Sequence, residues 1–149
     1  MTGIRDRRVT LDEAALERLR AAAQIVMAGR PDVVAAWLHG SAGRAEPAGD
    51  LDVAVLFDRS PTTWSELSEL SAGLAAAAGP LPVDLDLRPL NDTGPRFEHA
   101  VLRDGVLLFE RTRADRIAYQ VAATSRWLDF KPVWERERRR WLAQVASGG

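Results

Sequence analysis

The chain has 149 residues, of which 46% are hydrophobic and 28% charged, with a formal net charge of −1. Such a length most simply makes one domain with one core, so we expect residues 1–149 to form a single domain. The near-zero charge argues against broad electrostatic capture of nucleic acid or of an anionic membrane. The sequence has no cysteine, which excludes disulfides and thiolate metal sites. With neither a signal peptide nor a bilayer-spanning run, it is expected to be cytoplasmic.

The first third of the chain predicts one helix and two strands. Thr10 and Glu13 match a capping box. Apolar residues then recur at helical spacing, which predicts a helix to about Ala28. Short apolar runs at 33–38 and 50–57, each bounded by turn residues, predict buried strands.

The middle of the chain predicts a second helix and a third strand. Ser60 followed by Pro61 suits a helix start, with the serine as cap and the proline as first helical residue. The Gly-Pro pair at 79–80 is expected to end that helix. Residues 82–87 (PVDLDL) then alternate apolar and acidic side chains, which is typical of a strand.

The last part of the chain predicts a short helix to about Arg103, an edge strand at 106–110 and a long helical tail. Thr112 opens that tail with another capping-box pattern, and Pro132 is expected to interrupt or bend it. The tail is assigned residues 112–149. Strands that alternate with helices predict an α/β domain in which helices pack on a sheet.

Four aspartates fall on two of the predicted strands. Alternation puts Asp50 and Asp52 on one face of a strand, about 6–7 Å apart. Asp84 and Asp86 share a face of another strand. Carboxylates held side by side resist burial, and hard divalent cations such as Mg²⁺ relieve their repulsion. If the strands are neighbours in register, three or four carboxylates converge and can hold two ions about 3.5–4 Å apart, as in displacement at phosphorus.

Polar residues between the first two strands suit phosphate binding. Gly40-Ser41 lies where the backbone can approach phosphate closely, and Arg44 adds a charged donor. His39 is expected to have a strand-end packing or hydrogen-bonding role in preference to a nucleotide contact. His99 is expected at the surface of a helix. The two histidines lie far apart in the sequence, so no zinc site is expected.

These residues resemble a known family. Gly40-Ser41, an Asp-x-Asp pair at 50–52 and a later Val-Asp-Leu strand resemble the minimal nucleotidyltransferases (MNT) of the DNA polymerase β-like superfamily. The resemblance covers nearly the whole chain, and the segment LRDGVLLFERTRADRIAYQVAATSRWLDFKP is similar to the same region of MNT antitoxins encoded with HEPN toxins. It implies a polymerase β-like fold with a small mixed sheet and a long helical C-terminal tail.

The resemblance also implies an activity. MNT antitoxins transfer AMP from ATP, with Mg²⁺, to a tyrosine of a partner HEPN RNase and so disable that toxin. By match, Gly40 and Ser41 contact the nucleotide phosphates. Asp50, Asp52 and Asp84 are the catalytic metal ligands, for which two Mg²⁺ ions are expected. Asp84 occupies the Val-Asp-Leu position and is favoured, with Asp86 as the substitute or as a supporting residue.

One segment departs from the family pattern. The connection from Ala42 to Gly49 is shorter than usual, and Gly49 stands where the family commonly has serine. Activity therefore depends on whether this short loop still delivers phosphate to the metals.

The helical tail has its own features. Trp127, Trp134 and Trp141 recur at intervals of seven, which aligns them on a continuous helix. Trp127 is expected to pack over the domain's own sheet, whereas partner burial and internal packing remain equally open for the other two. The charged run 135–140 is expected to be a solvated helix face, so direct nucleic-acid binding is not expected.

Two alternatives to the enzyme remain open. One is a non-catalytic antitoxin that neutralises its toxin through the C-terminal helices alone. The other is a small-molecule nucleotidyltransferase, similar to the aminoglycoside-modifying enzymes of the same superfamily. That alternative requires a substrate pocket from a second domain or a dimer mate.

Overall fold

The structure is a computed structural model that describes residues 8–59 and 63–148. Strands and helices alternate for most of the chain, as the sequence predicted. The elements are α1 Glu13–Ala28, β1 Val33–His39, α2 Gly40–Gly43, β2 Asp50–Phe57, α3 Trp64–Ala78, β3 Asp84–Pro89, α4 Pro95–Asp104, β4 Val106–Glu110 and α5 Arg113–Ala146.

The four strands form one mixed sheet in the order β3-β2-β1-β4. β1 pairs antiparallel with β2 and with β4, while β2 and β3 are parallel and are joined through α3. A parallel pair needs such a crossover, because its strands begin at the same end of the sheet. β4 lies at one edge, which confirms the prediction for 106–110.

The sheet separates two apolar clusters, as the alternation in its strands requires. On one face, Leu51, Val53 and Val55 of β2 pack with residues of α1 and α3. On the other face, Ala54 and Leu56 pack with residues contributed by α4 and α5. The acidic positions of β2 alternate with the first set and therefore share the face that α4 and α5 partly cover.

Two helix starts differ from the sequence prediction. α1 is capped by Asp12, whose Oδ1 accepts from the Ala15 amide at 2.7 Å, and not by Thr10. Both residues fit the local pattern, but a carboxylate at the position next to the helix is a strong cap on its own. α3 is capped by Thr63 in a capping box with Glu66. The predicted cap and first helical residue at 60–61 lie outside the described residues.

α5 has 34 residues, which corresponds to about 51 Å of helix. Its start is confirmed, since the Thr112 side chain accepts from the Asp115 amide. The predicted interruption is wrong: the helix continues through Pro132, so the one hydrogen bond that proline cannot donate does not end it. Within the residues that the structure describes, no helix combines the length and the apolar character that a membrane crossing requires.

A buried charge joins α4 to α5. Glu98 is only 6% exposed. It accepts from the Tyr119 hydroxyl at 2.5 Å and from Arg126 Nη2 at 2.7 Å, so its charge is compensated. Burial and the bond to Glu98 raise the pKa of Tyr119 far above its usual range, which keeps the hydroxyl protonated as a donor.

Candidate active site

Three polar side chains, one histidine and two aspartates, form a row across the end of the sheet, which we name the acidic row. In the strand register His39 of β1 pairs with Asp52 of β2, which in turn pairs with Asp86 of β3. Neighbouring strands are about 4.8 Å apart, so the row is short. Asp50 and Asp84 form a second pair beside it, two residues nearer the start of each strand. The structure thus brings all four aspartates to one end of the sheet.

The side chains of the row are partly buried. Burial is the main cause that raises the pKa of Asp52; His39 opposes this effect, and the Asp86 carboxylate adds to it. Burial likewise lowers the pKa of His39. His39 Nε2 is buried and lacks a hydrogen-bond partner among the described residues, and its ring meets Phe97 edge-on at 5.4 Å. A cation near Asp52 would offset the cost of its charge.

Gly40 is required where β1 turns into α2. Its φ of +66° is in the left-handed region, which side chains rarely adopt. A Cβ at this position would also lie only 2.7 Å from Asp52 Oδ2. The backbone can therefore pass close to the carboxylate only because residue 40 is glycine. Ser41 follows directly and is half-buried beside it.

A polar cavity of about 290 Å³ opens beside these residues. Ser41, Asp50 and Asp52 line it, together with the loop segment 47–49 and Arg8. Arg44 is not among its lining residues; its Nε lies 3.4 Å from Glu46 Oε2 on the exposed loop. The structure therefore unites four of the predicted site residues, including neighbouring Gly40, but it places Arg44 outside the cavity.

Arg8 also lines this cavity, although no pattern in the sequence singled it out. The backbone of Val9 forms an isolated antiparallel bridge with Ala48, with N–O distances of 2.9 Å in both directions. This bridge brings the N-terminal segment to the short loop after α2. Such a contact between distant positions leaves no periodic signal in the sequence, so only the run of arginines before α1 (Arg5, Arg7 and Arg8) could have pointed to it.

The two candidates for the third carboxylate differ in position. Asp86 is level with Asp52 and half-buried, whereas Asp84 is level with Asp50 and exposed. Asp86 Oδ2 also lies 3.5 Å from Arg88 Nε. Across residues 8–59 and 63–148, no group of three histidine or acidic side chains is arranged to hold a metal ion. The choice of Asp84 from the sequence stays a prediction.

The aromatic residues of the tail divide into two groups. Trp127 stacks on His99 of α4, with ring centroids 4.3 Å apart, so its ring packs on a helix, whereas the sequence predicted the sheet. His99 is accordingly half-buried and not a free surface residue. The Arg96 guanidinium lies 4.9 Å from the Trp134 ring, which ties this tryptophan to α4 as well. Trp141, in contrast, is 61% exposed.

Solved structures with the same fold include chains from toxin–antitoxin complexes. One is a tyrosine-to-alanine mutant of the MntA–HpeT pair, with 24% identity, a TM-score of 0.59, and coverage of 91% of this chain and 99% of that chain. Another is the tri-AMPylated Shewanella oneidensis HEPN toxin in complex with MNT antitoxin, with 22% identity, a TM-score of 0.61, and coverage of 89% and 98%. A toxin–antitoxin structure with AMP-PNP has 20% identity, a TM-score of 0.60, and coverage of 88% and 98%.

These identities are all below 25%, so the structures show the fold alone. No curated protein sequence matches the chain. The family model for "Polymerase beta, Nucleotidyltransferase", however, matches residues 23–114, which is more than half of the chain and includes the acidic row. The chain therefore belongs to the polymerase β nucleotidyltransferase family.

Proposed function

We propose that this protein is the antitoxin of a toxin–antitoxin pair and a Mg²⁺-dependent nucleotidyltransferase. It transfers AMP from ATP to a tyrosine hydroxyl of a partner HEPN RNase. Two similar structures support this proposal, since one contains an AMPylated HEPN toxin with its MNT antitoxin and another contains AMP-PNP.

The observation that carries the catalytic proposal is the acidic row beside the Gly40-Ser41 turn. Asp52 and Asp86 are level on parallel strands, and Gly40 leaves the space that the Asp52 carboxylate occupies. This arrangement places carboxylate oxygens next to a hydroxyl and to backbone that can approach a phosphate. Ser41 would contact the nucleotide phosphates, while the strands keep the carboxylates in place.

The chemistry of these donors suits divalent cations, although no three of them among the described residues are already arranged around an ion position. The donors are carboxylate oxygens, which Mg²⁺ prefers, and burial already disfavours the charge of Asp52 in the absence of a cation. Asp50 and Asp52 would hold the ions together with a third carboxylate from β3. When bound, such ions lower the pKa of the attacking hydroxyl and neutralise charge on the triphosphate.

The register favours Asp86 as the third carboxylate over the sequence choice of Asp84. Asp86 lies directly beside Asp52 and is half-buried, so its position is set by the sheet. Asp84 is exposed beside Asp50. The variants Asp84→Asn and Asp86→Asn distinguish the two residues. Replacing the third ligand should abolish AMP transfer, whereas replacing the other residue should leave most of the transfer activity.

The binding-only alternative is favoured by a different observation. Trp141, Leu142 and Val145 near the end of α5 are 61%, 45% and 56% exposed. Aromatic and aliphatic side chains of this kind are typical anchors at protein interfaces. A partner that covers them could be neutralised by contact alone, whether or not AMP is transferred.

The test is incubation of the purified protein with labelled ATP, Mg²⁺ and the product of the adjacent gene. We expect label on a tyrosine of that partner, and a loss of more than about a hundredfold in Asp52→Ala. Asp58→Ala, which changes an exposed aspartate beyond the opposite end of β2, is the matched control and should transfer normally. Equal labelling, or none, from wild type and Asp52→Ala would contradict the catalytic proposal.

A second readout separates the two antitoxin hypotheses. Toxin RNase activity is measured in the presence of each variant. If Asp52→Ala still neutralises the toxin without labelling it, binding alone suffices. An aminoglycoside offered as acceptor in the same assay tests the small-molecule alternative.

A further inference from the structure

We propose that Arg8 binds the triphosphate of the nucleotide, in the role that the sequence assigned to Arg44. This inference rests on the proposed function, since it names the residue that recognises the nucleotide at the same site. It begins from the cavity beside the acidic row. Of the described residues that line it, Arg8 is the one with a positive charge, and it faces a cavity that also contains Ser41, Asp50 and Asp52.

The backbone keeps Arg8 at this position. Val9 donates its amide to the Ala48 carbonyl and accepts from the Ala48 amide, both at 2.9 Å. Ala48 is itself only 4% exposed, so the bridge is anchored to the core. The residue that precedes Val9 is therefore fixed beside the loop that leads to Asp50. The short loop 42–49 holds its own arginine, Arg44, outside the cavity. A second segment of the chain supplies Arg8 to the cavity.

The chemistry of the cavity suits phosphate groups. A guanidinium presents donors in a planar fork that matches two phosphate oxygens, and Ser41 adds a hydroxyl. The volume of about 290 Å³ is at the small end for ligand sites. It is more suitable for the phosphates than for a whole nucleotide. Arg8 and Ser41 would hold the phosphates, while Asp50 and Asp52 would hold the cations.

Arg44 is the rival residue. Its Nε lies near Glu46 on the exposed part of the loop, and it does not line the cavity. The two arginines therefore differ in their position relative to the cavity, and replacing Arg44 should affect nucleotide affinity less than replacing Arg8.

The experiment is calorimetric titration of ATP and of AMP into Arg8→Gln, Arg44→Gln and the wild type, with Mg²⁺ present. We expect Arg8→Gln to weaken ATP binding by at least about tenfold, the size of one lost charged hydrogen bond, and to affect AMP less. Arg59→Gln, an exposed arginine beyond the opposite end of β2, is the control and should match the wild type. Unchanged ATP affinity in Arg8→Gln, or an equal loss for AMP, overturns the proposal.

A second variant tests the bridge. Val9→Pro removes the amide that donates to Ala48 but keeps the Arg8 side chain. We expect the same loss of ATP affinity, with the melting temperature measured to confirm that the protein is folded. Wild-type affinity in a folded Val9→Pro would overturn the role of the bridge. The outcomes also separate from the parent proposal: a wild type that binds ATP through Arg8 but labels no partner contradicts only the transfer, whereas a wild type that binds no ATP overturns both.

Discussion

The acidic end of the sheet and the C-terminal part of α5 differ in what holds their side chains. Asp52 sits on a strand whose next residues, Val53 to Val55, are completely buried, so the core fixes its position. Near the end of α5, Trp141 and Val145 remain more than half exposed. The first region has the rigidity that chemistry requires, while the second has unburied apolar area that a partner can cover. Variants can therefore impair the proposed catalysis and the proposed partner binding separately.

The largest effect on binding is expected from the tail. In the double variant Trp141→Ala/Val145→Ala, affinity for the proposed partner toxin should fall by at least about thirtyfold, because aromatic anchors carry much of an interface's energy. ATP affinity should not change, since neither residue lines the active-site cavity. Titration of each ligand by calorimetry measures both effects.

The matched control for the tail is Ile25→Ala. Ile25 is 73% exposed on α1, far from α5 in the sequence, and its removal should leave toxin binding unchanged. Full toxin affinity in the double variant would show that the exposed end of α5 is not the binding surface. The C-terminal part of α5 would then not be the region that binds the partner.

An intermediate effect is expected where α5 is attached. Glu98→Ala removes the acceptor of Tyr119 and Arg126 and leaves the tyrosine hydroxyl without its partner. The free energy of unfolding should fall by about 2–3 kcal/mol, as for other buried charged hydrogen bonds. Urea denaturation measures this loss. Glu135→Ala, at an exposed position of α5, should change stability by less than about 0.5 kcal/mol.

Ligand binding by Glu98→Ala shows whether the two regions depend on each other. If Glu98→Ala weakens toxin binding but not ATP binding, α5 must be held on α4 to present its tail. If it weakens ATP binding equally, the two regions are coupled, and a separable model is wrong.

Much of the fold could be predicted because it depends on local periodicity. Alternation alone placed Asp50 and Asp52 opposite Leu51 and Val53, and burial confirms those two faces. The capping pattern at Thr112 correctly predicts the start of α5, because a cap involves residues only three positions apart. Where two local patterns compete, as at Thr10 and Asp12, the sequence does not decide between them.

The remaining features depend on contacts between distant segments. Asp84 and Asp86 have the same alternation, so their difference arises only from the register of β3 against β2. Arg8 reaches the site through one bridge, Val9 to Ala48, which is too short to produce a pattern. The position of Arg44 likewise depends on how a nonrepetitive loop turns. These positions are set by tertiary contacts, and the family resemblance does not predict them.

The smallest expected effect concerns the charge of Asp52. Burial raises the pKa of Asp52 in the folded protein above its unfolded value. The folded state then binds the proton more tightly, so this group lowers the free energy of unfolding as pH rises from about 4 through the raised pKa. In metal-free protein, Asp52→Asn should be more stable than the wild type at pH 7, and the gain should diminish toward pH 4. Urea denaturation in EDTA at both pH values measures it, with the exposed Asp129→Asn as control.

Adding Mg²⁺ should reduce or reverse the stability difference between Asp52→Asn and the wild type. An ion that binds only the folded wild type stabilises it in proportion to the logarithm of its concentration, while the Asn variant has lost a ligand. The advantage of Asp52→Asn should therefore shrink or invert at millimolar Mg²⁺, and Ca²⁺ or Mn²⁺ should act similarly because all three accept carboxylate oxygens. If the stability difference does not change when these ions are added, burial disfavours the charge of Asp52 but Asp52 does not bind metal. The acidic row would then be a structural feature of the sheet, and the exposed end of α5 would remain as the region that could carry the proposed antitoxin function.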